Sequence, residues 1–482
     1  MSSAQERLLR LHGLGSRRQR SSLDDKPAAG EVESPAESSS PTRSLSAPWQ
    51  PPTTQPLTQL VSGPIEALAP GRVIENSGGI CYEVTQSYSL SQYRGPTALS
   101  TLLARAPSMF HRFHPQYNLQ NAAQFHRAAF IDTETTGLGG GAGVYCFMVG
   151  IGQFERHDND VADPNGEPTH FVVRQLFMRN PAEESALLVA LAERLQNSTM
   201  TVTFNGRTFD LPLLRTRYLQ NQRFLPTTHR KPDLLAESAP HLDLLHPARR
   251  LWRRRLPSCR LSYLEQAILG LERSEQDVPS HLIPSYYTEY VRTGDAGKMP
   301  GIFYHNREDI VSMVSLAEQL CAAFGATETK RARAANELHG LEWLALGCSH
   351  EAAGEVDEAE RALRRALDML SERGDEQAGR IEAFKRLGQL LKRQARWSEA
   401  AEIWQLWLGS VTDVDPTPYV ELAKYCEWQC ADLEQAAMWA GWALHNLHSA
   451  PAWERSQQKI AELEHRLARL QRKRGEAAAI PD

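Results

Sequence analysis

The chain has 482 residues, 41% of them hydrophobic, a net charge of −5 and seven cysteines. This length allows roughly two or three domains with cores of their own. The near-balanced charge excludes non-specific attraction to nucleic acid as a property of the whole surface, so any basic surface must be local. No apolar run is long enough for a membrane span, and scattered cysteines without a C-x-x-C pair speak against a disulfide framework or zinc module. Their spread predicts a reducing, cytoplasmic setting. The start, MSSAQERLLRLHGLGSRRQRSS, lacks a secretory apolar core, and Glu6, Asp24 and Asp25 speak against an organelle transit peptide.

Residues 1–57 are rich in Ser and Pro (SPAESSSPTRSLSAPWQPPTTQP) and read as a disordered tail, because such a segment cannot bury enough apolar surface to offset its ordering entropy. Residues 58–125 form a small β-containing lead-in. Within it RVIENSGGICYEVTQSYSL alternates around Asn76-Ser77-Gly78-Gly79, which predicts a hairpin. A dense α/β region follows over 126–325. AAFIDTE, YCFMVGIGQF and THFVVRQLF read as three strands, and NPAEESALLVALAERLQ as a helix with an acidic first turn. MTVTFNG is a strand, DLPLLRTRYLQ a helix and HLDLL a short strand; RLSYLEQAIL, IPSYYTEYVRTG and NREDIVSMVSLAEQLCAAF are helical. Three strands followed by alternation predict an α/β fold with a mixed sheet flanked by helices.

Residues 330–475 are expected to be an all-α helical-repeat domain. Ala359, Ala400 and Ala436 each precede a leucine (Leu367, Leu408, Leu444) by eight residues, at steps of 41 and 36. The steps are near the tetratricopeptide period, and small alanines let paired helices approach closely. The basic end AELEHRLARLQRKR reads as a capping helix.

The chemistry is concentrated in AAFIDTETTGLGGGAG. Asp132 and Glu134 stand two apart on a strand and therefore share a face. Unpaired buried charge is costly, and divalent cations are the natural compensators. Asp210 opens a helix after TFNGRTF, and Asp309 lies near the start of the last helix of the region. Four carboxylates from strand, helix start and helix can converge on two Mg²⁺ or Mn²⁺ ions, hard cations that prefer oxygen ligands. Such a pair clamps the attacking and leaving oxygens of a phosphodiester displacement. His305, one helical turn before Asp309, has a side chain suited to proton transfer.

DTETTGL, NGRTFDLPLL and HNREDIVSM resemble the three motifs of the DnaQ-like, ribonuclease-H-like (DEDD) 3′–5′ exonucleases. TGLGGGAGVYCFMVGIGQF, HLDLLHPARRLWRRRLPSCRLSYLEQAILGLER and the helical tail are similar to the YprB-like branch. The resemblance implies a ribonuclease-H-like fold, two Mg²⁺ or Mn²⁺ ions held by Asp132, Glu134, Asp210 and Asp309, and His305 as general base. Spacing departs from the wider group's patterns, Tyr-x3-Asp and His-x4-Asp: here His305 stands at the first spacing and Tyr304 at the second. His305 is the choice and Tyr304 the reserve.

The glycine run 139–141 has no following Gly-Lys-Ser/Thr and is no nucleotide-triphosphate loop. Thr133, Gly137, Leu138 and Asn205 are placed to meet the substrate, with bracing of the loop the stronger role for Asn205. Arg253 and Arg254, in the basic run around Trp252, are expected to grip phosphates. Asp243 reads as a strand-end or supporting acid, not a ligand. The expected function is exonucleolytic hydrolysis of single-stranded DNA or RNA, with a protein partner at the helical repeats. The competing function is a non-catalytic scaffold that binds nucleic acid or protein through the repeats.

Overall fold

A computed structural model of the chain describes residues 62–137, 143–156, 167–230, 232–325, 338–372, 374–410, 415–449, 451 and 456–478. The expected disordered tail, Leu138 and the glycine run 139–141 lie outside the described residues.

The strands are β1 (Arg72–Asn76), β2 (Gly79–Ser89), a short pair β3 (Tyr93–Arg94) and β4 (Thr97–Ala98), β5 (Ala128–Thr135), β6 (Cys146–Glu155), β7 (His170–Phe177), β8 (Met200–Thr203) and β9 (His241–Asp243). Seven form one mixed sheet in the order β1-β2-β7-β6-β5-β8-β9. β5 pairs parallel with β8, and β8 with β9, while the remaining neighbours are antiparallel. β5 is interior, so its apolar residues serve two cores: Ala128 and Phe130 one, Ala129 and Ile131 the other. A run apolar on both faces is what a central strand requires.

The hairpin of the 58–125 lead-in extends this sheet instead of standing apart. β2 pairs with β7 from Tyr82↔Phe177 to Ser89↔His170. A lone hairpin is marginally stable; here Tyr82 and Glu83 are buried, and Glu83 is gripped by Arg72 at 2.6 Å and Arg194 at 3.0 Å.

Helices α1 (Ile65–Leu68), α2 (Glu184–Leu195) and α3 (Asp210–Asn221) come first, followed by α4 (Leu245–Trp252) and α5 (Leu261–Leu264), which runs into a π-helical turn, Glu265–Leu269. α6 (Ile283–Thr293) and the long α7 (Met299–Gly325) complete this half. α2 and α3 pack on one face of the sheet; Ile310, Val311 and Val314 of α7 pack into the core on the other. α7 lies close because β6 carries glycine where it crosses. A Cβ at Gly150 would collide with Asn306 and Ile310, and one at Gly152 with Phe171 and Ile310. Gly150 is the β6 partner of Asp132, so this close approach delivers α7 to the acidic face of β5.

The helix-rich remainder is α8 (Gly340–Ala352), α9 (Val356–Met369), α10 (Gln377–Arg393), α11 (Trp397–Ser410), α12 (Thr417–Trp428), α13 (Leu433–Ser449) and α14 (Gln457–Ala478). Consecutive helices pair, with α8 against α9, α10 against α11, and α12 against α13. Ala359, Ala400 and Ala436 are fully buried. α4 packs on α8, and ion pairs Arg254–Glu382 at 2.8 Å, Arg112–Glu355 at 2.9 Å and Arg255–Glu342 fasten the two halves. Among the described residues no helix is long and apolar enough to cross a membrane.

Gly150→Ala should push α7 off the sheet and destabilise the fold by about 1–3 kcal/mol, the usual cost of overpacking. A thermal melt checks this; an unchanged midpoint would mean that the close approach is not needed.

Candidate active site

Asp132 and Glu134 project from the same face of β5, beside a bulge between Glu134 and Thr135 where the pairing with β6 shifts register. Asp210 is the first residue of α3, and Asp309 lies on α7. The fold gathers these four acids. Asp132 is subject to the charges of Asp309, Asp210 and Glu134, and Glu134 to those of Asp309 and Asp210. Glu134 and Asp210 are buried, while Asp132 and Asp309 retain partial exposure. Burial first, and then the neighbouring carboxylates, hold Asp132 well above the usual carboxylate range; burial raises Glu134 likewise, to about 8, with His305 and Arg273 lowering it and Asp309 and Asp210 raising it. Asp210 is raised chiefly by burial, against the lowering effect of the Thr133 hydrogen bond.

Asp132, Asp210 and Asp309 have protein donors around them. Asn306, buried on α7, donates from Nδ2 to Asp132 Oδ2 at 2.8 Å, while its Oδ1 accepts from Gln175 at 3.0 Å. Thr133 points to the other side of β5 and donates its hydroxyl to Asp210 Oδ1. Arg273 donates to Asp309 and makes a two-pronged pair with Glu265 at 2.6 and 2.8 Å. Sequence reasoning missed Asn306, Arg273 and Glu265. Asn306 stands next to His305 in HNREDIV, and Arg273 ends the LGLER stretch; neither forms a pattern that announces a site.

His305 faces Asp309, with Nε2 at 3.9 Å from Asp309 Oδ2 and 3.2 Å from Ser280 Oγ. Its Nδ1 lies 2.7 Å from Asp277 Oδ1. Burial alone would lower its pKa; Asp309, Asp277 and Glu134 more than offset this and raise it to about 9. Tyr304 is occupied elsewhere, its hydroxyl accepting the Ser274 N–H at 2.9 Å.

Asp243 is fully buried and accepts three backbone N–H groups: Asn205 at 2.8 Å, Leu245 at 3.1 Å and Arg207 at 3.1 Å. It therefore clamps the connection between β8 and Asp210. Asn205 has a left-handed backbone, φ 67°, and its side-chain oxygen accepts from Thr208 at 3.0 Å, a bracing arrangement. Gly137 accepts the Thr135 hydroxyl at 2.8 Å through its carbonyl. The basic run divides. Arg254 is taken up by Glu382, and Arg255 by Glu342, because α8 and α10 bring acids against α4 and its C-terminal turn. Arg254, expected to grip phosphates, is thus ion-paired within the chain. Arg249 and Arg253, a helical turn apart, are exposed and have no ion-pair partner among the described residues.

Among the described residues no three Asp, Glu, His or Cys side chains are already drawn to coordinating distance of one point. The donor set nevertheless fits a hard divalent cation: oxygen ligands only from four acids, held in a mutually repelling group whose negative charge Arg273 and His305 offset only in part.

A mixed sheet flanked by helices, with acids from its central strand, a helix start and a late helix, is the form of a ribonuclease-H-like protein. Residues 129–321, which include all four acids and His305, match the RNase_H_2 family of the RNase_H superfamily. A Bacillus subtilis (strain 168) protein described as "Uncharacterized protein YprB" is 30% identical over 346 residues, which span 71% of this chain and 74% of that protein. The chain belongs to this YprB-like family. The superfamily's fold points to nuclease or nucleotidyl-transfer chemistry on nucleic acid, and its members typically use divalent metals.

Asp132, Glu134, Asp210 and His305 all bind their protons more tightly folded than unfolded. The stability that each contributes is full below its unfolded pKa and lost as pH rises through the folded one. Metal-free protein should therefore lose stability from the carboxylate range near 3.8 up to about 9. Mg²⁺ or Mn²⁺ should raise the melting midpoint more at about pH 8.5 than at about pH 6, since the ligands must shed protons to bind. Thermal melts at both values test this, and an equal or absent shift would count against a metal at these acids.

Proposed function

We propose that the chain is a two-metal-dependent 3′–5′ exonuclease acting on single-stranded nucleic acid. The observation that carries this is the convergence of Asp132, Glu134, Asp210 and Asp309 from three separate segments into one electrostatically coupled group. In this reading the four acids hold two Mg²⁺ or Mn²⁺ ions, which when bound supply Lewis-acid polarisation of the scissile phosphate and a more acidic water. Asn306 and Thr133 fix the rotamers of Asp132 and Asp210. His305 Nε2 faces Asp309 and is the atom that takes the proton of the attacking water. Its raised pKa comes from Asp309, Asp277 and Glu134, so neutralising Asp309 and Glu134 returns it toward neutrality, where it can act as a base. The hydroxyl of Tyr304 is already engaged by Ser274, which supports His305 over the tyrosine.

Arg249 and Arg253 are the members of the basic run left to meet phosphates. In the helix-rich region, exposed Leu406, Trp428 and Trp442 support a protein-binding role, and buried Ala359, Ala400 and Ala436 support the reading of degenerate tetratricopeptide-like repeats. The scattered cysteines support a cytoplasmic setting.

With 5′-labelled single strands and Mn²⁺, the protein should give a ladder shortening from the 3′ end. The ladder should vanish with chelator and in Asp132→Asn, fall about 10²–10⁴-fold in His305→Ala, and survive in Tyr304→Phe. Absence of cleavage on any DNA or RNA would leave the scaffold function standing, and loss in Tyr304→Phe alone would reassign the base. Arg249→Gln with Arg253→Gln should weaken strand binding and lower its log–log salt slope by about 0.7 per lost phosphate contact. Identical slopes in variant and parent would remove these arginines from the interface.

A further inference from the structure

The segment after the π-helical turn is seated on α7 next to the acids. A Cβ at Gly301 would lie 2.6 Å from Val278 and 2.8 Å from the Gln276 carbonyl, so the two backbones are in close contact. Ser274 N–H meets Tyr304 Oη at 2.9 Å, and Arg273 bridges Glu265 and Asp309. Asp277 lies within this clamp with both oxygens engaged: Oδ1 accepts from Val278 N–H at 3.0 Å and lies 2.7 Å from His305 Nδ1, and Oδ2 lies 3.4 Å from Arg273 Nη1, a donor that stands farther from the same Nδ1, at 3.2 Å, than the carboxylate does. A carboxylate held at both ends cannot rotate to follow the imidazole, so the imidazole must follow it.

We infer that Asp277 is a positioning residue: it fixes the ring proton of His305 on Nδ1 and presents Nε2 to the space beside Asp309. This rests on the exonuclease reading above and adds a component to it. A carboxylate on one nitrogen settles which nitrogen of a histidine is free to accept a proton, and it stabilises the imidazolium formed by that transfer. The arrangement also accounts for the His-x3-Asp spacing. His305 stands one turn from Asp309 on the same helix and is turned by a partner on another segment, so its ring need not depend on α7 alone for orientation.

The test is steady-state cleavage of a 5′-labelled single strand by the full chain with Mn²⁺, comparing the parent, Asp277→Asn, His305→Gln and the double variant. The amide introduced by Asp277→Asn can donate to Nδ1 and so drives the ring proton to Nε2. Asp277→Asn is expected to lower kcat about 10²–10⁴-fold, with KM for the strand and half-saturating Mn²⁺ unchanged. The double variant should be no slower than His305→Gln alone, since both changes remove one device. Full kcat in Asp277→Asn, multiplicative losses in the double variant, or a loss confined to KM or Mn²⁺ affinity would each overturn the inference while leaving the exonuclease reading in place. A parent chain that cleaves no strand would overturn that reading and the inference together. Should Asp277→Asn fail to fold, Asp277→Glu keeps the acceptor and should retain about tenfold or more of the kcat of Asp277→Gln; equal rates in the two would refute the positioning role.

Discussion

Four carboxylates crowded at one end of a sheet repel one another, and much of the surrounding structure is arranged to contain that repulsion. Asp132 and Glu134 are bound to the same face by strand geometry, and α7 brings Asp309 against them because Gly150 and Gly152 leave no side chains in its way. Nothing in this packing relieves the charge; burial makes it worse. Relief comes from Asn306 on Asp132, Thr133 on Asp210 and Arg273 on Asp309, each from a different element. Asp243 performs a related task one layer out, where three backbone N–H groups satisfy it and in return fix the turn that ends at Asp210.

The acids themselves are legible in the chain because their chemistry contradicts their setting. A pair of carboxylates inside AAFIDTET has no place in an ordinary core strand, and Asp210 and Asp309 follow at helix positions that a metal cluster can use. The mixed sheet is legible for a similar reason, since strand and helix periods differ sharply between residues 128 and 221. Arg273 and Asp277 are not legible, because a charged stretch such as LERSEQD reads equally well as a solvated loop, and Glu265 in RLSYLEQAIL reads as an ordinary helix-surface acid. Only tertiary placement turns it into a buried network. The hairpin at 72–89 is legible as a hairpin, but its pairing with β7 is a long-range edge choice that local pattern does not encode.

The basic run shows the limit of composition most clearly. Five arginines around Trp252 suggest one surface with one role. Their placement splits them instead: Arg250 reaches the Phe113 carbonyl at 3.4 Å, Arg254 and Arg255, in the turn after α4, meet Glu382 of α10 and Glu342 of α8, and Arg249 and Arg253 are exposed. Glu342 also closes the capping box at the start of α8, so one buried carboxylate both starts the helix-rich half and ties it to the sheet half. A charge count cannot distinguish a bolt from a binding surface; the position of the opposing acids can.

Charge balance gives the strongest reason to expect cations at the four acids. Asp132, Glu134, Asp210, Asp309, Glu265 and Asp277 share one neighbourhood, while Arg273 and a protonated His305 are the cations within it. With buried Asp243 also acting on Asp210, the carboxylates of this neighbourhood far outnumber its two cations, an excess that divalent ions would offset. Without them burial first, and mutual repulsion second, favours held protons on Asp132, Glu134 and Asp210, whose pKa values are raised accordingly. The two resident cations are not spread evenly. Both lie on the Asp309 side, next to Asp277 and Glu265, whereas Asp132 and Asp210 have only neutral donors. The deficit is therefore deepest between β5 and the start of α3. In the two-metal reading proposed above, an arriving divalent ion would gain most there, and on the Asp309 side, already partly neutralised, a second ion would compete with Arg273.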